Sequence, residues 1–294
     1  MKSSERQLEM RFCQRWTRGR DVYRPAGEPI RVSEFGIDGI SDADSKAFVA
    51  AHHYAPNSPP QILSMGLFRK TSFSRSRLVG VCRFSVPMNQ RAVPKHTGHA
   101  PGNGCELGRL VLLDEVAANG ESFFVARALK ALATEKPHIH AVVSYCDPVP
   151  RYRADGTEFK RGHIGTCYQA LNARHVGRAK ARTLLMTRDG QVLSERSLSK
   201  LRNGERGADY AYRQLLSVGC QARKAGEDIH DYIERAIKSG GLQRTRHPGN
   251  LVYSWVIGGR REKRQRQQRL PDALPYPKLK SVAETTMLEV GNAS

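Results

Sequence analysis

A strand, helix, strand run near the middle of the chain constrains the fold more than any other feature. Residues 106–113, ELGRLVLL, are an apolar run of strand length. Asn119-Gly120-Glu121-Ser122 then opens a helical pattern in which Phe124, Val125, Ala128, Leu129 and Leu132 share a face, and Pro137 closes it. Residues 138–145, HIHAVVSY, form a second apolar strand ending at Cys146-Asp147-Pro148. This alternation predicts adjacent strands of an α/β sheet, whose ligands gather at the carboxyl ends of the strands.

The flanking sequence adds elements to that centre. Ser41 is placed to cap a short helix that Pro56, Pro59 and Pro60 stop. Residues 62–68 and 78–84 read as a hairpin, and after the basic insertion RYRADGTEFKRG a helix is expected near His163, carrying Ile164, Tyr168 and Leu171. Residues 181–194 read as a second hairpin turning at Asp189-Gly190, with polar helices over 206–218 and 227–238. His247-Pro248-Gly249-Asn250 makes a turn before an aromatic strand at 251–257. The expected organisation is a basic arm (1–40), an α/β core (41–190), an extension that completes the fold (191–258) and a basic, Pro-containing tail (259–294).

Charge limits the partner. Lys and Arg number 48 against 28 Asp and Glu, a net charge of +20. An excess of that size needs a polyanion, and basic residues spread over several loops favour a groove-shaped footprint on nucleic acid. They recur at Arg69, Lys70, Arg75 and Arg77, at Arg151, Arg153, Lys160 and Arg161, and at Arg196, Lys200, Arg202 and Arg206. The densest block, Arg260-Arg261-Glu262-Lys263-Arg264-Gln265-Arg266, has no apolar face and is expected to be mobile, gaining affinity by releasing counterions from phosphates. No run approaches the ~20 apolar residues of a membrane span, and the first residues lack a signal peptide's apolar core, so the expected compartment is the cytoplasm. The six cysteines show no C-x-x-C spacing, and Cys82, Cys105, Cys146 and Cys167 sit in apolar segments as small core residues.

Several residues carry possible chemistry. Arg109 lies within an apolar strand, where an unpaired charge is costly, so it should meet an anionic ligand or a carboxylate such as Glu106 or Asp147. Asn119 to Ser122 begins a helix, where free N–H groups and the dipole receive anions, although both residue types are also ordinary caps. Asp147, just past a strand end, is either a catalytic carboxylate or a loop cap. Tyr168 offers a phenolic proton or a buried hydroxyl. His52, His53, His96, His99 and His163 raise a metal reading, but their spacing matches no standard site.

The ordered strings ELGRLVLLD, NGES, VVSYCDP, GHIGTCYQA and RHPGNLVYSW resemble the Mom family of bacteriophage DNA-modification proteins over roughly residues 51–253. The resemblance implies a GNAT-like acyltransferase fold with a mixed central sheet and flanking helices. It implies conversion of adenine in double-stranded DNA to an N6-substituted, methylcarbamoyl or glycinamide-like base that shields phage DNA from restriction. By motif the family's site falls on His53, Arg109, Ser122, Asp147 and Tyr168. The implied cofactors are an acyl donor, acetyl-CoA in the wider fold, and an iron for which His53 is the nearest ligand. The paired-glycine pyrophosphate loop of acyltransferases is replaced here by DEVAANGES.

The reaction expected on that basis has Asp147 or His53 taking a proton from N6, Tyr168 protonating the leaving group, and Arg109 with Asn119 and Ser122 holding the anionic part of the donor. Two other readings stand beside it. One is a non-catalytic DNA-binding protein on an acyltransferase scaffold, and the other is an N-acetyltransferase acting on a protein or small amine. The sequence does not fix an oligomeric state.

Overall fold

The computed structural model describes residues 12–17, 20–25, 29–53, 55, 57–71, 76–117, 119–160, 162–188, 190–239 and 242–278. The elements run β1 (Phe12–Thr17), β2 (Arg20–Pro25), β3 (Phe35–Gly39), α1 (Asp42–His52), β4 (Gln61–Lys70), β5 (Ser76–Ser85), α2 (Ala92–Thr97) and β6 (Gly104–Leu112). There follow α3 (Gly120–Glu135), β7 (Ala141–Cys146), β8 (Arg151–Tyr152), β9 (Glu158–Lys160), α4 (Thr166–Gln169), β10 (Arg174–Arg178), β11 (Arg182–Met186) and β12 (Val192–Leu193). The chain continues through α5 (Glu195–Arg202), α6 (Ala208–Ser217), α7 (Ile229–Ser239), β13 (Gln243–His247), β14 (Leu251–Val256) and α8 (Arg260–Gln267). The described residues fall in two compact units, one drawn from Met1–Pro148, Gly162–Ala179 and Asn250–Ala283, the other from Val149–Arg161 and Lys180–Gly249.

The first unit is built on a seven-stranded mixed sheet of order β10-β14-β7-β6-β5-β4-β3. The β6–β7 pair is parallel and the other neighbours are antiparallel. The predicted strand, helix, strand centre is therefore present as β6, α3 and β7. On one face α3 buries Phe124, Val125, Ala128 and Leu132, at the spacing of a helical stripe, in a core with Leu67, Phe84, Leu107, Val142 and Tyr253. On the other face Val49 of α1 meets Val81 and Val111. Ser41 caps α1 as expected, its Oγ accepting from Asp44 N at 3.0 Å.

The second unit has its own sheet, β12-β11-β13, and its own core of Leu185, Leu193, Leu198, Leu201, Leu215, Tyr232, Ile233 and Ile237. The two predicted polar helices are α6 and α7. Residues 195–202, read from sequence only as basic positions, form α5, with Ser194 Oγ accepting from Ser197 N at 3.4 Å. The turn at 248–250 precedes the aromatic strand as expected, and the residues before it are also a strand, β13, which joins the small sheet while β14 joins the large one. Asp189 of the expected hairpin turn lies outside the described residues, though β11 and β12 do pair antiparallel.

Three local expectations need correction. The helix expected from His163 is only Thr166–Gln169, because Gly165 adopts φ 74 and its backbone approaches so closely that a Cβ would sit 2.5 Å from Cys146 Sγ. Residues 35–39, read as part of the arm, form β3 and pair with β4 from Phe35↔Arg69 to Gly39↔Met65. The basic tail is a docked helix. Glu262 accepts from Gly259 N at 2.7 Å and from Arg266 at 2.9 Å, and Arg266 also reaches the Ile257 carbonyl. Beyond α8, Leu270 is buried, Leu274 bridges His175 on edge strand β10, and Tyr276 Oη donates to Ala173 O at 2.8 Å. Among the described residues no helix is long and apolar enough to cross a membrane.

Candidate functional site

The parallel pairing of β6 with β7 is short. It covers Gly104↔Ala141, Cys105↔Val142 and Glu106↔Val143, after which each strand follows its other neighbour. β6 stays with β5 as far as Leu112↔Gly80, and β7 stays with β14 as far as Cys146↔Leu251. The carboxyl ends therefore diverge and open a wedge in the sheet, whose root is tied by a buried bond from Ser144 Oγ to Leu107 O at 3.0 Å. A gap at parallel strand ends is where an α/β sheet most readily admits a ligand.

A bulge at Gly108 decides which side chains face this wedge. β5 pairs Ser85↔Glu106, Phe84↔Leu107 and Arg83↔Arg109, so Gly108 is the extra residue. In a regular strand Glu106 and Arg109, three apart, would lie on opposite faces; the bulge returns Arg109 to the face of Glu106, Ser85 and Arg83. Glycine fits here without moving Ser85, since a Cβ at position 108 would lie 2.6 Å from Ser85 Oγ. Val143 and Tyr145 of β7 occupy the same face, and His96 of α2 meets the Tyr145 ring edge-on at 6.1 Å.

The electrostatics of this face follow from its burial. Burial raises the Glu106 carboxyl to about 6, with Arg109 drawing it partly back. Burial, then the charge of Glu106, raises the Tyr145 phenol to about 12. Burial, then Lys95, lowers His96. Arg109 donates from Nε to Ala55 O at 3.1 Å, from Nη1 to Gly108 O at 2.6 Å and from Nη2 to Asn57 O. It thus pins the loop after α1 through backbone carbonyls and lies within electrostatic reach of Glu106. His53 is the C-cap of α1, and its Nδ1 lies 2.9 Å from Ala55 N and 3.2 Å from Ala55 O, so the ring is anchored to that residue's backbone. Nearby, fully buried Arg83 binds Asp42 Oδ1 at 2.6 Å, Gln61 Oε1 at 2.9 Å, Pro59 O at 2.9 Å and Ser45 Oγ.

The remaining expected residues lie at the end of β7 or on the α3 side of the sheet. Asn119 is the N-cap of α3 in a left-handed conformation, φ 63, with no side-chain cap bond, and Ser122 Oγ donates to its carbonyl at 3.1 Å. Asp147 is buried just beyond β7, and its carbonyl accepts from His163 N at 3.0 Å. Tyr168 is buried with its ring edge-on to Tyr253 at 5.7 Å and Trp255 at 5.2 Å. The structure thus brings His53 and Arg109 together through Ala55 and puts Asn119, Ser122 and Tyr168 across the sheet from them. Glu106, read from sequence only as a partner for Arg109, shares the face of Arg109 at the point where β6 and β7 separate. Its signal was a carboxylate in an apolar strand two residues before a glycine.

Of the other candidates, Arg260, Arg261, Lys263 and Arg264 are exposed along α8. Arg151 and Arg153 are half-buried on and beside β8, and Arg196 is exposed but paired with Glu205 at 3.0 Å. Lys200 is half-buried. Lys160 is a correction: it is 2% exposed with Nζ 3.4 Å from Val149 O, turned inward rather than toward a phosphate backbone. Arg75 and Arg161 lie outside the described residues. Cys82, Cys105, Cys146 and Cys220 are buried, and burial raises the thiols of Cys82, Cys105 and Cys220, so these behave as core residues. Among the described residues no three His, Cys, Asp or Glu side chains gather as a metal site, and His53 already has Nδ1 engaged; the donor set an iron needs is not assembled there.

Comparison with known proteins adds a family. The profile of the Mom protein family matches residues 34–239, across both units. No curated protein matches the chain. Among solved structures, a tandem GNAT protein from the clavulanic acid biosynthesis pathway, determined without AcCoA, is similar at 10% identity and a TM-score of 0.32, over 77% of this chain and 76% of that chain.

Proposed function

The chain belongs to the Mom protein family, and from that premise we propose that it transfers a small acyl-derived group to the exocyclic N6 of adenine in DNA. Membership supports DNA modification at the level of the family. The observation that carries the chemistry is Glu106, held by the Gly108 bulge on the face of Arg109 where β6 and β7 separate.

Adenine N6 is a weak nucleophile because its lone pair is delocalised into the ring, so the base must leave the stack, be oriented and lose a proton as it reacts. N6 attacks the carbonyl carbon of the donor, the new C–N bond forms, and the bond to the leaving group breaks with its electron pair going to that group. The N6 proton passes to Glu106. With its carboxyl near 6, Glu106 is ionised at neutral pH yet basic enough to accept it. His53, anchored to Ala55 through Nδ1, borders the same loop that Arg109 holds. Asp147 is the second carboxylate at these strand ends. The leaving group takes up a proton from solvent and the charge of Arg109 receives the anionic part of the donor, while Tyr168 and the start of α3, across the sheet, stand outside these transfers. A modified adenine of this kind would block restriction endonucleases that read the N6 edge in the major groove.

The test is expression of the chain followed by mass spectrometry of nucleosides from digested plasmid DNA. Wild type yields a heavier adenine nucleoside that Glu106→Gln lacks. Unmodified adenine from a folded wild-type chain overturns the reading.

A further inference from the structure

The second unit contains two helices and a turn that the reaction does not use. α5 ends at Arg202, α6 begins at Ala208, and the connection turns on Gly204 (φ 62) and Gly207 (φ 96), positions where left-handed backbone favours glycine. Leu198 and Leu201 of α5 and Ala211 and Leu215 of α6 face inward, onto Tyr232, Ile233, Ala236 and Ile237 of α7. The inward faces are satisfied by that core, and one side of α6 is left to solvent.

That outer side has a definite character. Tyr210, Arg213 and Ser217 are exposed at the spacing of one helix face, Tyr210 being 54% exposed, with Asp209 and Leu216 exposed beside them and Arg206 exposed in the turn before the helix. The arginines of α5 are engaged within the unit, Arg196 with Glu205 at 3.0 Å and Arg202 with Glu195 at 2.6 Å. Arg206 and Arg213 carry no ion pair among the described residues. Lys200 Nζ sits 3.7 Å from where a Cβ at Gly207 would lie, so α6 starts beside an ammonium group and with its own dipole positive.

We propose that α6 is a sequence-reading helix that enters the major groove of duplex DNA, with α5 lying across the phosphate backbone. The inference rests on the reading of this chain as a DNA-modifying protein and goes further, to how it selects sequence. A helix with its side chains is about 10–12 Å across and the major groove about 12 Å wide, so α6 fits it end-on or lengthwise. Arg213 supplies the planar donor pair that guanine N7 and O6 accept, and Tyr210 supplies an aromatic surface for a thymine methyl. Lys200 and Arg206, at the helix start, neutralise phosphates. A protein partner would be matched by a contiguous apolar patch; here the exposed apolar side chains are Tyr210 and Leu216, set among Arg206, Asp209 and Arg213, and with Lys200 at the helix start the balance is basic, which complements a polyanion.

Selection of sequences by the full-length chain from a random duplex pool, followed by anisotropy titrations on the selected and a scrambled duplex, tests the assignment. Arg213→Ala and Tyr210→Ala are expected to melt like wild type. Arg213→Ala weakens binding to the selected duplex about tenfold or more, as loss of a bidentate arginine–guanine contact does, with a smaller loss on the scrambled duplex. Equal loss on both duplexes makes Arg213 a phosphate contact and overturns the proposal. So does unchanged preference, or a changed oligomeric state with DNA binding intact, which would mark the face as a contact between copies. Adenine modification is measured in parallel. Selective binding by wild type without modified adenine sinks the proposed reaction and leaves the reading helix standing. Modified adenine in the same sequences from wild type and Tyr210→Ala/Arg213→Ala sinks the reading helix alone.

Discussion

The two compact units treat charge in opposite ways, and two glutamates show it. Glu106 in the first unit is raised to about 6 by burial, while Glu227 in the second is lowered to about 2 by its bonds to Arg235, at 2.6 Å, and to the Lys224 backbone. The first unit takes charges inside its sheet face, Arg83 being 0% exposed. The second buries Lys160 but holds most of its charges outside the Tyr232 core, in pairs such as Arg202–Glu195 and Arg244–Glu234. Burying a charge costs several kcal/mol unless it is fully partnered, whereas a surface pair contributes about 0–1 kcal/mol. Under the proposed function, charge is held at energetic cost where the reaction is assigned and at little cost where the reading helix is assigned.

Removing the raised carboxylate breaks the comparison most directly. Glu106→Gln is expected to lower the modification rate by about 10²-fold or more, the scale of a lost general base. The wild-type rate should rise with pH through about 6, where the carboxyl ionises, and then level off. Stability moves the other way. A carboxyl whose folded pKa lies above its unfolded value stabilises most below the unfolded value, and that contribution is lost as pH rises through about 6. At neutral pH Glu106→Gln should therefore melt no lower than wild type. A variant that keeps the wild-type rate excludes Glu106 as the base.

Next in size is the buried guanidinium. Arg83→Ala removes the partner of Asp42, Gln61, Ser45 and the Pro59 carbonyl at once. We expect about 3–5 kcal/mol of destabilisation in denaturant titrations, the cost of breaking a buried charged network. A loss within the range of a surface substitution would mean that water enters and replaces those bonds.

These two residues also mark what sequence could and could not tell. The strand–α3–strand centre was legible because its apolar runs and helical stripe are local patterns, and so were the capped α1 and the paired β4 and β5. Glu106 and Arg109 could each be picked out as charges in an apolar strand. Their shared face could not be seen, because it depends on Gly108 being bulged out by pairing with β5, a long-range register that one sequence does not print. The split of Tyr168 from His53 was hidden for the same reason: motif order carries no information about which side of a sheet a residue faces. The docked α8 was missed because its anchors, Leu270, Leu274 and Tyr276, follow the charge block instead of lying within it.

The basic helix α8 sharpens the comparison from the first unit's side, since it carries a dense block of that unit's exposed charge. Replacing Arg260, Arg261, Lys263 and Arg264 by Gln should keep the fold and lower the slope of log affinity against log salt by up to about 3.6, at about 0.9 per lost phosphate contact. Truncation after Gly258 should also lower the melting temperature, because it removes the Leu270 burial and the strand-edge bridge of Leu274 to His175. An unchanged salt slope in the fourfold variant would move the DNA footprint to other basic residues.

The smallest effect concerns Glu227, and its pH dependence identifies it. Because the folded pKa of Glu227 is depressed, its contribution is present above the unfolded carboxyl value and disappears as pH falls through about 2. Glu227→Gln should therefore lower the melting temperature at neutral pH, with the difference from wild type shrinking steadily from about pH 4.5 downward. Arg235 also holds Gln221 and the Ala222 carbonyl, so the segment after α6 should loosen without unfolding the helices that share the Tyr232 core. Hydrogen exchange across residues 221–228 then reports the change locally. If the melting difference instead grows as pH falls, the Glu227 carboxylate is not what stabilises the segment, and the contrast with Glu106 fails on its weaker side.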